Sequence, residues 1–108
     1  MIEAHKMVVS METIISVISK SHGIKILRAL RNGEKTQKEI SIETKTDKSI
    51  VNRRLREFMK VGLVRERFDH EERVLKYSLT EFGKKVLEGL DAFEGVVGEW
   101  IHDDEDLR

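Results

Sequence analysis

Apolar residues recur at Met7, Met11, Ile14 and Ile18, spaced four, three and four apart, with Val8 and Ile15 widening the stripe. That is the period of an amphipathic helix with a narrow apolar face. The pattern breaks at Ser21 to Gly23 and resumes in "IKILRAL" as a short second helix. Asn32-Gly33 ends it, because glycine suits the left-handed position past a helix terminus. Thr36 and Glu39 have the spacing of a capping box, which predicts a third helix over Gln37–Thr44. After the polar stretch "KTDKS", in which Thr46 or Asp47 can act as cap, a fourth helix runs to about Val61 and stops at Gly62. Two short helices joined by a tight polar turn form a helix-turn-helix.

Beyond Gly62 the period falls to two. "LVRERF" and "RVLKYSL" alternate around the turn "DHEE", with Leu75, Tyr77 and Leu79 sharing a face, so they read as paired strands. Thr80 can cap a last helix. In it Phe82, Val86, Leu90, Phe93, Val97 and Trp100 follow at spacings of four, four, three, four and three, close to a coiled-coil seam, before the acidic "HDDEDLR".

Length and composition narrow the picture. A chain of 108 residues supports one domain with one core, and 39% hydrophobic against 37% charged residues describes a soluble globular protein. No apolar run approaches the roughly 18 residues a membrane span needs. The start "MIEAHKMVVS" matches a secretion signal poorly, so a cytoplasmic protein is expected. The absence of cysteine removes disulfides, thiolate nucleophiles and cysteine metal sites. His5, His22, His70 and His102 lack metal-ligand spacing, and no Ser-His-Asp order, glycine-rich phosphate loop or isolated carboxylate pair stands out. Neither catalysis nor a metal or cofactor is expected.

Charge sharpens the expectation. The formal net charge is zero, yet residues 1–34, 35–67, 68–90 and 91–108 carry +2, +5, −1 and −6. A basic middle points to an anionic partner. Its densest part, "SIVNRRLREFMKVGLVRERF", contains Arg53, Arg54, Arg56, Arg65 and Arg67. At about 100° per residue, Val51, Leu55, Phe58 and Gly62 fall within about 40° of one line and must face the core. Ser49, Asn52, Arg53, Arg56 and Lys60 are left on the opposite side.

From Ile24 to Leu90 the chain resembles the winged helix-turn-helix transcriptional regulators of the ArsR, MarR and HxlR type. The likeness is carried by "IKILRAL", "TQKEIS", "SIVNRRLREFMKVGLV" and "YSLTEFGKKVL", of which the Gly-Leu-Val exit and the Tyr-Ser-Leu-Thr-x-x-Gly run are the more specific. Two features depart from the pattern. The motif's turn has Lys45 and Thr46 where a glycine and an apolar residue are usual, and the family's sensing cysteines are absent. The expected fold is mainly α with a small β-wing, a winged helix-turn-helix with extended N- and C-terminal dimerisation helices. Its parts are an N-terminal helix (1–20), the core (21–79), a C-terminal helix (80–102) and an acidic tail (103–108).

The resemblance implies a sequence-specific regulator of double-stranded DNA, a repressor from an archaeon or a bacterium, binding as a homodimer with the helix at about 47–61 in the major groove. On that helix Arg53 and Arg56 suit guanine and Asn52 suits adenine, while Lys48, Ser49 and Lys60 reach phosphate or base edges. Gln37 and Lys38 are expected to clamp phosphate at a helix start, and Arg73 to meet it beside the wing, whose tip acids Asp69, Glu71 and Glu72 oppose deep insertion. The seams Met7, Met11, Ile14, Ile18 and Leu90, Phe93, Val97, Trp100 are expected to bury against a second copy. The alternative is a winged-helix module of a transcription or replication assembly that binds protein or tracks nucleic acid without sequence choice.

Overall fold

The structure is a computed structural model and describes residues 9–101. Met7, His5, His102 and the acidic stretch 103–108 lie outside the described residues. The elements are α1 (Met11–Ile18), α2 (Gly23–Ala29), β1 (Lys35–Thr36), α3 (Gln37–Thr44), α4 (Lys48–Lys60), β2 (Val64–Asp69), β3 (Val74–Leu79) and α5 (Glu81–Trp100).

Ser10 starts α1 by accepting the Thr13 N–H at 3.1 Å. The apolar stripe of this helix divides between two environments, which corrects one expectation. Ile18 is 5% exposed and belongs to the chain's own core, so it has no area left to give a partner. Ile14 packs partly against that core, whereas Met11 and Ile15 stay exposed.

The capping box at α3 forms in full: the Thr36 hydroxyl accepts the Glu39 N–H at 3.1 Å and the Glu39 carboxylate accepts the Thr36 N–H at 2.8 Å. The following turn closes without glycine. Lys45 takes the left-handed conformation at φ 54°, the Thr46 N–H donates to the Ser41 carbonyl at 3.1 Å, and the buried Thr46 hydroxyl donates to the Thr44 carbonyl. Asp47 occupies the cap position of α4 but makes no side-chain cap hydrogen bond.

Fully buried Ile26, Leu27, Ile40, Val51, Leu55, Phe58 and Leu63 make the centre, joined by Tyr77, Leu79 and Leu87 from the sheet and α5. The sheet has three strands in the order β1-β3-β2, all antiparallel. β1 was not expected: two residues show no alternation, and they pair only because β3 offers a free edge, Lys35 opposite Tyr77 and Thr36 opposite Lys76.

Gly62 leaves α4 at φ 80°, a backbone conformation that side chains disfavour. Thr80 then ties α5 to that exit, donating its hydroxyl to the Gly62 carbonyl at 2.6 Å and accepting the Gly83 N–H at 2.9 Å. A Cβ on Gly83 would collide with the Leu63 carbonyl oxygen, so the glycine of "YSLTEFG" is what allows this close approach. Within α5 only Gly83 and Leu87 are buried. Past Leu90 the helix runs outward, linked to α2 by an ion pair from Arg28 to Glu94 at 2.9 Å and to the turn after α2 by one from Arg31 to Asp91 at 2.7 Å. Among the described residues, no helix is long and apolar enough to cross a membrane.

Candidate nucleic-acid interface

Helix α4 is amphipathic along its whole length. Val51, Leu55 and Phe58 are completely buried, and this docking decides which side chains point away. Lys48, Ser49, Arg53, Arg56 and Lys60 are exposed, and Asn52 is half-buried on the same side. Among the described residues, the ion pairs reach none of Lys48, Arg53, Arg56 and Lys60. The result is a ridge of four unneutralised cations on a helix whose other face is locked in place.

The five arginines of the basic stretch have different roles. Arg54 turns inward: its Nε donates to the Ser21 carbonyl at 2.9 Å and its guanidinium pairs with Glu57 at 2.8 Å, with only 8% of the side chain exposed. Lys20 meets the same carboxylate at 3.0 Å. Burial opposes ionisation of Glu57, but hydrogen bonds from Lys20 and Arg54 outweigh it and hold the carboxyl below its ordinary value. Arg54 therefore fastens α4 to the α1–α2 connection. The sequence reading assigns Arg54 no such role, although the signal is there: at about 100° per residue it lies about 60° from Val51, on the buried side.

The wing's cations are largely engaged. Arg67 pairs with Glu34 at 2.8 Å and with Asp69 at 3.4 Å, while Lys76 pairs with Glu72 at 2.7 Å and with Asp69 at 3.2 Å. Asp69 organises the tip, accepting the N–H groups of Glu72 at 2.9 Å and Glu71 at 3.0 Å. The Glu72 amide, then Lys76 and Arg67, lower its pKa to about 2. The Arg67 hydrogen bond lowers that of Glu34, and the bonds to Glu72 and Asp69 raise that of Lys76. Arg65 approaches only the Ser78 hydroxyl, at 3.4 Å. Arg73 is exposed at the tip in a left-handed conformation, φ 59°.

The start of α3 differs in part from expectation. Lys38 is exposed, but the Gln37 amide donates to the Lys48 carbonyl at 2.8 Å, which joins the start of α3 to the start of α4. Of the terminal seams, Phe93 and Trp100 are 66% and 80% exposed and Val97 is half-buried, whereas Leu90 packs partly on the core. Val96 and Ile101, not singled out from the sequence, add exposed apolar surface at the same end. Among the described residues no group of His, Asp and Glu has the arrangement of a metal site.

This arrangement can be compared with known proteins. Residues 11–99 match the family described as the HVO_A0261 N-terminal domain. The chain belongs to that family. No curated protein matches it.

Solved structures share this fold. The reduced form of the transcriptional regulator YodB from B. subtilis superposes with a TM-score of 0.79 at 23% identity, covering 89% of this chain and 96% of that one. A homodimeric winged helix-turn-helix DNA-binding domain, Mb0332 from Mycobacterium bovis, gives 0.72 at 17% identity over 84% and 83% of the two chains. The transcriptional regulator HlyU from Vibrio vulnificus gives 0.63 at 20% identity over 76% and 84%. At these identities the likeness is one of fold: five helices and a small antiparallel sheet forming a wing.

Proposed function

We propose that this HVO_A0261-family domain is a sequence-specific double-stranded DNA-binding regulator, not an enzyme, that acts as a homodimer with α4 in the major groove. The observation that carries the reading is the cationic ridge of α4, left unpaired because Val51, Leu55 and Phe58 fix the opposite face in the core. A helix fits the major groove, where arginine pairs with guanine and asparagine with adenine, and lysine neutralises phosphate. Exposed Met11, Ile15, Phe93, Val96 and Trp100 suit a second copy, as does the homodimeric state of Mb0332. A two-fold dimer would set its recognition helices about one DNA turn apart. Repression is the simpler outcome, since occupying the duplex is enough to cause it.

Selection from a random duplex library tests the proposal. A palindromic consensus is expected, bound far more tightly than random duplex and weakened steeply by salt. Equal binding of selected and random duplex would instead favour an interaction module, a reading to which the zero net charge and the engaged wing cations lend some support.

A further inference from the structure

The end of α1 and the start of α2 meet α4 at one corner. There the Glu57 carboxylate takes a cation on each oxygen, Arg54 at 2.8 Å and Lys20 at 3.0 Å, while the Arg54 Nε donates to the Ser21 carbonyl at 2.9 Å. Arg54 is only 7% exposed. The backbone of the corner is equally constrained. His22 is left-handed at φ 64°, the Gly23 N–H donates to the Lys20 carbonyl at 2.9 Å, and a Cβ on Gly23 would collide with the Ile18 carbonyl oxygen. The His22 Nδ1 lies 3.4 Å from the Thr46 hydroxyl, in the turn that leads into α4.

Stability alone is a poor reason for this arrangement. An ion pair taken out of water gains little over apolar side chains of the same volume, because desolvation offsets the attraction. What it adds is direction. Within α1 only Ile18 is buried, so packing alone leaves the tilt of that helix loosely fixed. The bonds that Lys20 and Ser21 make to α4 select one setting. The outer side of α1 carries Met11 and Ile15, 74% and 56% exposed, a surface available to a second copy.

We propose that Arg54 and Glu57 are positioning residues that lock α1 to α4, so that contact between two copies through α1 fixes the separation of their recognition helices on DNA. The proposal rests on the dimeric, DNA-reading role of α4 and names what sets its spacing. Neither side chain touches the duplex in this role, since Arg54 lies on the buried side of α4 and the Glu57 carboxylate is occupied by its two cations. Inserting one base pair between half-sites shifts the second by about 3.4 Å along the duplex and turns it by about 35°. A rigid α1–α4 unit resists that displacement, whereas a loosened one follows it.

The test uses the full chain and a palindromic duplex enriched by the wild-type protein, with and without one base pair inserted at its centre. The insertion is expected to weaken wild-type binding about 100-fold. Arg54→Met combined with Glu57→Leu replaces the pair by apolar volume and keeps the net charge. This variant should melt close to wild type and stay dimeric in sedimentation, yet lose no more than about 10-fold on insertion. Its salt dependence should match that of wild type, because no phosphate contact is removed. A merely structural role would instead lower the melting temperature and leave the insertion penalty unchanged. If the double variant does not fold, Arg54→Lys carries the same test, since lysine keeps a charge beside Glu57 but cannot also hold the Ser21 carbonyl. A folded variant whose insertion penalty stays within about twofold of wild type overturns the proposal. So does a variant that turns monomeric, or a wild type indifferent to the insertion. If Arg53→Ala still weakens binding in those cases, only the spacing role falls. If no palindrome is selected and Arg53→Ala changes nothing, the α4 reading falls first and takes this role with it.

Discussion

Arg53 and Arg54 are adjacent in sequence, yet one projects from the helix and the other reaches the Ser21 carbonyl and Glu57. Their substitutions should separate cleanly. Arg53→Ala should leave stability unchanged and lower discrimination at one base position by about 1–3 kcal/mol, measured by binding to single-base variants of a selected site. Arg54→Ala should lower unfolding free energy in urea by about 1–3 kcal/mol, because it strips the Ser21 carbonyl of its donor and leaves the Glu57 carboxylate with Lys20 alone. Asp69 gives a pH signature. Its folded pKa of about 2 lies below the ordinary aspartate value, so its bonds to the Glu71 and Glu72 amides and to Lys76 stabilise the wing at full strength above that ordinary value. That contribution is lost as pH falls through about 2. An NMR titration of the carboxyl should find its midpoint there, with amide protection at Glu71 and Glu72 lost alongside. Helical angle made the fates of Val51 and Arg53 legible in the sequence, and the same angle would have turned Arg54 inward had it been applied there. The pairing of Arg67 with Glu34 was not, because it joins residues 33 apart that only the three-stranded sheet brings together.

Caps and periods explain why most elements were readable. Thr36 with Glu39, and Thr80 before α5, are local devices in which a side chain satisfies a backbone donor a few residues away, so sequence spacing reports them directly. β1 and the turn at Lys45 are different. The strand exists only by pairing with β3, and the turn is closed by hydrogen bonds at Ser41 and Thr46 in place of a glycine. Ile18 followed the period of the first helix but was assigned to the wrong neighbour, since period fixes a face and says nothing about what covers it. The α2–α5 junction supports a prediction of its own. Asp91→Arg should loosen the outer half of α5 by placing like charges beside Arg28 and Arg31. Adding Arg31→Asp should restore much of its order. Amide exchange along α5 checks both outcomes, and the recovered coupling should be about 1 kcal/mol or less because the pair is solvent-exposed.

The molecule as a whole is extended. Its Cα radius of gyration is 15.6 Å and its principal extents are 53 × 39 × 22 Å, against a radius of about 13 Å for a compact domain of this size. Much of α5 contributes length without contributing core. If the exposed end of α5 meets a second copy, Trp100→Asp should convert dimer to monomer in sedimentation while leaving the buried centre around Phe58 intact. A species that stays dimeric would remove this end from the interface. The same sparse anchoring, with Gly83 and Leu87 the buried residues of a twenty-residue helix and Val86 and Leu90 packed partly on the core, also bears on how folding would be measured. If a second copy supplies order along that helix, it does so by mass action, and the melting temperature becomes a function of how much protein is in the tube. Tenfold dilution should lower it, and the helical signal of the far end should fade before that of the body.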